Sequence, residues 1–336
     1  MVVPILPEML LAATGMILLV LPGLKDARRL ALLTLVALAA ALDLKLLGIL
    51  QGRFLSEAAF SGMLAQDLFS AFFQLAVLAV GFLVTLSVMG YQREEVRARR
   101  EFYALLLFTT VSLLLVVGAR HLALIYLGIE MVSLLSYLLT GFQKQEPRAV
   151  EGALKYFLFG AIATGAMLYG FSLLYGLTGS LELSKLAAEL PKAVLAAPLL
   201  TWVSLLLVVM GLGFKVALVP FHMWAPDAYE GAPTPVALFL SLGPKLAGFA
   251  VMVRIFGVGF AQVTHLWIAL FGFLAVVTMT LGNVVALAQT NVKRLLAYSS
   301  IAHAGTMLIG LAVATPLGIS ALLYYLVAYL LMNAGA

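Results

Sequence analysis

One apolar stretch decides the fold class of this chain: residues 198–220 read PLLTWVSLLLVVMGLGFKVALVP. A membrane-spanning helix needs about 20 mostly apolar residues, and this stretch supplies them around a single charged residue, Lys215. Glycine and proline weaken or interrupt helices, and Gly211, Gly213 and Pro220 flank that lysine. In transporters, helices that are broken at mid-membrane create hydrated ion sites. The stretch therefore predicts a membrane helix that is broken near Lys215.

The composition of the whole chain also indicates a membrane protein. Of its 336 residues, 64% are hydrophobic and only 10% are charged, whereas about 25% are charged in an ordinary soluble domain. A soluble globular core could not hide this much apolar surface, and disorder requires low hydrophobicity with high charge. The absence of cysteine excludes disulfides, cysteine-ligated iron–sulfur clusters and a thiol nucleophile. The net charge of +5 is better explained by the basic side of a membrane protein than by nucleic-acid binding.

Hydropathy predicts an all-α, polytopic membrane protein with eleven spanning helices. The first span has no basic region before it, so it does not resemble a cleaved signal peptide. The predicted spans cover residues 4–22, 29–49, 66–90, 102–118, 121–142, 153–177, 198–219, 234–256, 264–288, 297–314 and 317–336.

Lysine and arginine predict the orientation of these spans. With the N-terminus outside, twelve of the 20 basic residues fall in inside segments and five in outside segments, as the positive-inside rule requires. The other three, Lys45, Lys215 and Lys245, lie within spans. Lys45 shares its span with Asp43, and we expect it to snorkel or to pair locally. The last span ends in Tyr329–Ala336 with no basic residue, which indicates a fragment of a longer protein.

Three charged residues lie where hydrocarbon is expected, namely Glu130, Lys215 and Lys245. Placing one charge there costs at least about 2.5–3.5 kcal/mol, so these side chains must face each other or water. One interpretation is a static ion pair that fixes helix packing. The other is a proton-carrying site, because burial favours the neutral amine of Lys215 whereas a nearby Glu130 carboxylate favours its ammonium form. A lysine that gains and loses this partner would take up and release a proton.

The four histidines divide into two pairs. His121 and His265 lie at outer ends of spans, and we expect interfacial, structural roles for them. His222 follows the Lys215 span by two residues, and His303 lies one to two turns inside its own span. Because histidine titrates near neutral pH, these two are candidate proton relays. The sequence contains no histidine and carboxylate cluster with metal-ligand spacing and no GxGxxG or P-loop motif.

A longer motif around Lys215 resembles a known family. Residues 213–236 read GFKVALVPFHMWAPDAYEGAPTPV and resemble the antiporter-like membrane subunits of respiratory complex I. The Tyr-Glu-Gly before Ala-Pro-Thr-Pro is most similar to the subunit N group, which includes mitochondrial subunit 2 and its chloroplast counterpart. The first three spans match only in hydropathy. Further matching segments are Leu127–Met131, Glu151–Phe157, Lys293–Gly305 and Tyr329–Asn333.

The resemblance implies a proton-translocating, non-redox subunit of NADH:quinone oxidoreductase in a bacterial cytoplasmic (inner) membrane. By position, Glu130 matches the family's glutamate on the fifth helix, Lys215 its lysine on the broken seventh helix, and Lys245 its bridging lysine on the eighth. His303 matches a polar relay position more loosely. The resemblance implies no cofactor in this chain and places NADH, FMN, iron–sulfur clusters and quinone in partner subunits. The implied partners are other membrane and peripheral subunits, lipid and protons, and not nucleic acid.

The resemblance also implies a division of the chain into three parts. Residues 1–100 form an N-terminal three-helix segment, and residues 101–257 form the first antiporter-like five-helix repeat. Residues 258–336 form the incomplete start of a second, inverted repeat. The second channel lysine of the family would lie beyond residue 336.

Three other functions stay open from the residues alone. Cation/proton antiporters share this helix core, although the residues after Pro226 and Asp227 favour the complex I group. Related complexes that oxidise ferredoxin use similar subunits, so the electron donor is not determined. A structural scaffold with an inert ion pair is the third possibility. It predicts that apolar replacements of Glu130 and Lys215 would leave pumping intact.

Overall fold

The structure is a computed structural model that describes residues 5–20, 26–52, 62–93, 96 and 98–336. Within these ranges the protein is built from helices and has no strand, which confirms the predicted all-α class. The helices are α1 (Leu6–Val20), α2 (Ala27–Leu50), α3 (Leu68–Gly90), α4 (Arg100–Val117), α5 (Leu122–Thr140), α6 (Pro147–Thr178), α7 (Leu183–Ala196), α8 (Pro198–Val216), α9 (Trp224–Gly231), α10 (Thr234–Arg254), α11 (Ile268–Leu287), α12 (Val292–Ala312) and α13 (Pro316–Gly335).

Ten of the described helices are long and apolar enough to cross a membrane: α2 to α6, α8 and α10 to α13. The predicted number of eleven exceeds this by one. The first predicted span contains a described helix of only 15 residues. Residues 4, 21 and 22 of that predicted span lie outside the described residues. Helix α7 was not predicted, and it is a short amphipathic helix in a segment predicted outside.

Local sequence sets where the helices begin. Asp67 and Ser70 form a reciprocal capping box at the start of α3, with backbone-to-side-chain distances of 2.8 and 2.9 Å. Asn291 caps α12 by accepting a hydrogen bond of 2.9 Å from the Lys293 N–H. Helices α6, α8, α10 and α13 have proline in the first turn, where its missing N–H costs nothing.

The predicted break near Lys215 is confirmed. Helix α8 ends at Val216, and Ala217 then adopts the left-handed backbone region with a φ of 59°. The chain turns and enters the short helix α9 at Trp224. Lys215 therefore lies in the last turn of a helix that stops inside the bundle.

Helix α10 runs without interruption through Pro244, which directly precedes Lys245. Proline removes one backbone hydrogen bond, to the carbonyl of Leu240. Nearly every side chain of α10 is buried by neighbouring helices. Packing on all sides holds this helix straight enough to tolerate the missing bond.

Charged residues form ion pairs at both ends of α3. Arg93 follows the last turn of α3 and pairs with Glu146 at 2.6 Å. Asp67 precedes the first turn and pairs with Arg120 at 3.0 Å and with Arg254 at 2.6 Å. Arg93 was predicted inside, and Arg120 and Arg254 were predicted outside. Three other basic residues in that count lie outside the described residues: Lys25, Arg53 and Arg97.

Lys45 is buried and does not snorkel; it forms an ion pair, but with an acid that is remote in sequence rather than with a local partner. Its Nζ lies 2.9 Å from a carboxylate oxygen of Glu8, on α1. The reason is tertiary, because α1 packs against α2 and supplies an acid that is remote in sequence. This ion pair links α1 to α2.

Candidate functional site

The Lys215 ammonium lies inside the bundle at the broken end of α8. The residue is only 2% exposed, and it occupies the last turn of α8, where the negative end of the helix dipole stabilises a cation. Its Nζ donates a hydrogen bond to the hydroxyl of Ser133 on α5. That hydroxyl in turn donates to the carbonyl of Ile129 at 2.6 Å. Ser133 therefore uses its single proton on its own helix and offers a lone pair to the lysine.

Glu130 lies one turn before Ser133 and shares its face of α5. A direct ion pair between Glu130 and Lys215, as hypothesised from the sequence, is not formed in this structure. Among the described residues, Glu130 makes no ion pair within 4 Å, and its buried Oε1 has no hydrogen-bond partner. Glu130 and Ser133 lie one turn apart on α5, so the carboxylate neighbours the serine that binds the Lys215 ammonium.

Two side chains hold the backbone of the break, and neither was predicted from the sequence. The indole Nε1 of Trp224 donates to the carbonyl of Phe214 at 3.0 Å. The N–H of Val219 donates to the hydroxyl of Thr278 on α11 at 3.1 Å. A buried peptide group without a partner is costly, so these bonds stabilise the broken geometry within a membrane. The available sequence signal for these contacts was the position of Trp224 within the motif of residues 213–236.

Lys245 is held by a second cluster of polar side chains. It is 1% exposed, and its Nζ donates to both the carbonyl and the hydroxyl of Ser300 on α12. The Ser300 hydroxyl lies 3.3 Å from the phenol oxygen of Tyr229 on α9. The ring of Tyr329 on α13 lies 5.6 Å from the ammonium, within the range of a cation–π contact. Four helices therefore converge on this amine.

The structure joins one of the two candidate relay histidines to the Lys245 cluster. His303 lies one turn after Ser300 on α12, and its Nδ1 is 2.7 Å from the phenol oxygen of Tyr325. Its ring centroid is 5.5 Å from that of Tyr329. His222 is buried in the turn after α8, and its Nδ1 has no hydrogen-bond partner. No hydrogen bond joins His222 to either lysine within the described part of the chain.

Helix α8 packs against α10 at a crossing that lies beside Lys215 and one turn from Lys245. Gly248 lies one turn after Lys245 on α10, and a Cβ at Gly248 would lie 3.5 Å from the Cβ of Lys215 and would overlap the side chain of Val216. Glycine is therefore required at this crossing. Because the crossing is so close, the stem of Lys215 lies beside the turn that carries Lys245.

An ionic cluster at one end of the bundle positions α9. Asp227 accepts from Lys155 on α6 at 2.7 Å and from Arg294 on α12, and Arg294 also contacts Glu230 at 3.0 Å. Partial burial raises the pKa of Asp227, but hydrogen bonds from Lys155 and Arg294 outweigh it and hold the pKa below its usual range. Lys155 also pairs locally with Glu151, four residues earlier on α6, at 2.6 Å.

A bundle of membrane-length helices, with a helix that is broken at the buried Lys215 and with Lys245 buried on a neighbouring helix, defines an antiporter-like membrane protein. Residues 119–336 match the family described as NADH:quinone oxidoreductase/Mrp antiporter, transmembrane. The chain belongs to this family, and its relatives are named as subunit N of NADH-quinone oxidoreductase.

Three comparisons illustrate the relationship. The chain is 44% identical over 354 residues to NADH-quinone oxidoreductase subunit N of Anaeromyxobacter sp. (strain Fw109-5), and the alignment covers 98% of this chain and 68% of that protein. A chain of respiratory complex I from Thermus thermophilus with bound aureothin is 35% identical with a TM-score of 0.79, over 98% of this chain and 69% of that one. A chain of the Mrp complex from Dietzia sp. DQ12-45-1b is 21% identical with a TM-score of 0.84, over 99% and 63%, and shares the fold.

Proposed function

We propose that this chain moves protons across a bacterial cytoplasmic membrane as a subunit of an NADH:quinone oxidoreductase, with its N-terminus outside. One observation carries the proposal: the buried Lys215 ammonium lies at the end of a broken membrane helix and is bound by a hydroxyl one turn from Glu130. A buried amine holds its proton only while dipoles or charges stabilise it. A shift of α8 against α5 would change both stabilising groups at once.

The proposed path runs from Glu130 and Lys215 to Lys245, and then to His303. Lys215 would release its proton when it loses Ser133 or the field of Glu130. Lys245 would receive it beside the crossing at Gly248, where the two helices approach closely. We do not place His222 on the path, since no contact joins it to either amine. The next group after His303 would be the phenol of Tyr325, which lies within hydrogen-bond distance of its Nδ1.

In this proposal the chain carries no redox group. NADH, FMN, iron–sulfur clusters and quinone would be bound by partner subunits, and the chain would receive a conformational or electrostatic signal from them. The division into residues 1–100, 101–257 and 258–336 is part of the same proposal. The match of the family to residues 119–336 supports a distinct N-terminal segment.

Replacing Lys215 by alanine in the intact complex tests the proposal. We expect quinone reduction to continue while proton pumping per quinone falls, because the amine is removed but no redox site is changed. Lys192, an exposed lysine on α7, provides the control substitution Lys192→Ala, which should change neither rate. Normal pumping in Lys215→Ala would exclude a central role for this lysine.

Two further measurements separate the alternatives. A subunit of NADH:quinone oxidoreductase should co-purify with flavin and iron–sulfur subunits, whereas an antiporter subunit should bring none. Replacing Glu130 and Lys215 together by methionine tests the inert scaffold, because apolar residues of similar volume can replace a purely structural buried pair. Full pumping in that double variant would favour the scaffold.

A further inference from the structure

A cavity of about 910 Å³ opens between α4, α5 and the start of α6. Its walls come from the first turns of α4, the end of α5 and the loop that joins α5 to α6. Cavities of this volume are large enough for a drug-sized ligand or for part of a larger amphiphile. The proposed proton path does not use it.

The rim of this cavity is rich in hydrogen-bond donors. Arg99 and Lys144 line it, and neither has an acidic partner within 4 Å among the residues that the structure describes. Gln143 also lines it; the side chain is 7% exposed, and its Nε2 has no hydrogen-bond partner. Among the described residues that line the cavity, Glu101 is the one acid, and it faces Arg100 at 3.5 Å. The rim therefore presents two cations and one unsatisfied amide donor, which together favour an anion.

The inner wall of the same cavity is apolar and continues onto the outer surface of the bundle. Leu105, Leu138, Val150 and Ala153 line it. Leu138 and Val150 are 57% and 46% exposed. In a protein surrounded by lipid, such exposed leucine and valine side chains face acyl chains rather than water. The cavity therefore changes from a cationic rim to a lipid-facing wall.

We propose that this cavity binds an anionic phospholipid, with the headgroup phosphate between Arg99 and Lys144 and one acyl chain along Leu138 and Val150. The Gln143 amide donates to a phosphate or ester oxygen. A free phosphate would leave the apolar wall without a partner, and a neutral lipid would leave the two cations unneutralised. Basic pockets between membrane helices are known positions for anionic headgroups.

Photochemical labelling tests the site in the intact complex. The complex is placed in nanodiscs of phosphatidylcholine, and phosphatidylglycerol with a diazirine on one acyl chain is titrated in. We expect adducts on the peptides that contain Leu138 and Val150. Two basic residues near an anionic headgroup contribute about 1 kcal/mol each, so the double variant Arg99→Gln, Lys144→Gln should bind phosphatidylglycerol roughly 25-fold more weakly. Gln143→Leu, which leaves the net charge unchanged, should also weaken labelling.

The matched control is Arg28→Gln, Arg29→Gln, which removes two exposed basic residues predicted on the same side of the membrane. It should leave labelling of these peptides unchanged. The proposal is overturned if the Arg99 and Lys144 variant labels normally, or if diazirine phosphatidylcholine labels equally well. It is also overturned if inorganic phosphate displaces the lipid, since the ligand is then a soluble anion. An absence of labelling overturns it too, because another subunit then covers the cavity.

Discussion

The Lys215 ammonium on α8 donates its hydrogen bond to the hydroxyl of Ser133 on α5 rather than to the nearby carboxylate of Glu130. A neutral hydroxyl stabilises an ammonium less than a carboxylate would in the same place. The lysine is therefore held in a state from which a small movement can either strengthen or remove its stabilisation. This is the property that a proton-carrying amine requires.

Removing the hydroxyl with Ser133→Ala should impair the site while preserving the fold. A hydrogen bond to a charged group contributes about 1.5–3 kcal/mol, which corresponds to roughly tenfold or more in a proton-transfer step. We expect pumping per quinone to fall by that order, as measured in proteoliposomes with a pH-sensitive dye. Ser204→Ala on α8 is the control, because that hydroxyl bonds only to Thr201 of its own helix. Equal pumping in both variants would remove Ser133 from the mechanism.

The bond between Thr278 and the Val219 N–H should be necessary for the break. Thr278→Val keeps the volume and leaves a buried N–H without an acceptor, at a cost of about 1–3 kcal/mol. We expect a lower thermal unfolding midpoint and reduced pumping. Thr164→Val on α6 removes a buried hydroxyl that bonds only to its own helix, at Gly160. If both variants unfold at the same temperature, the bond across to α11 does not support the break.

Asp227 and Glu151 both pair with Lys155, and they provide a matched comparison. The Asp227 side chain is 26% exposed and also binds Arg294, whereas the Glu151 side chain is 62% exposed. Exposed ion pairs contribute about 0–1 kcal/mol, so Glu151→Gln should have little effect on thermal stability. Asp227→Asn should lower the unfolding midpoint, because it leaves two partly buried cations without their carboxylate. A larger effect of Glu151→Gln would contradict the assigned role of Asp227.

Asp67 should make stability depend on pH at the opposite end of the bundle. Burial raises the pKa of Asp67, but hydrogen bonds from Arg254 and Ser70 and the charge of Arg254 outweigh it and hold the pKa well below its usual range. A carboxyl with a lowered pKa in the folded state stabilises the fold fully above its unfolded pKa of about 3.9. That contribution is lost as the pH falls further.

The substitution Asp67→Asn tests this dependence. The variant should unfold at a lower temperature than the parent at pH 7, and the difference should shrink below about pH 4. Thermal unfolding in detergent over that pH range measures it. A difference that is constant with pH would mean that packing, not charge, accounts for the effect.

Sequence alone determined the class of this protein and identified the charged residues that are costly to place in a membrane. Long apolar runs predict membrane helices, because the backbone N–H and C=O groups of a segment in hydrocarbon must form hydrogen bonds within the protein, and a helix forms them within the segment itself. A charge within such a run is costly wherever the helix packs, so Glu130, Lys215 and Lys245 can be identified from their positions in the chain. Gly211, Gly213 and Pro220 beside Lys215 predicted the break, because glycine and proline weaken a helix wherever it packs.

Only the tertiary structure decided which groups these residues meet. The partners of Lys215, Lys245 and Lys45 are Ser133, Ser300 and Glu8, each on another helix. Membrane helices pack through small residues and shape, and hydropathy carries almost no information about which faces touch. The helices that pack around α10 likewise explain why it continues through Pro244, and the sequence of α10 does not show these contacts.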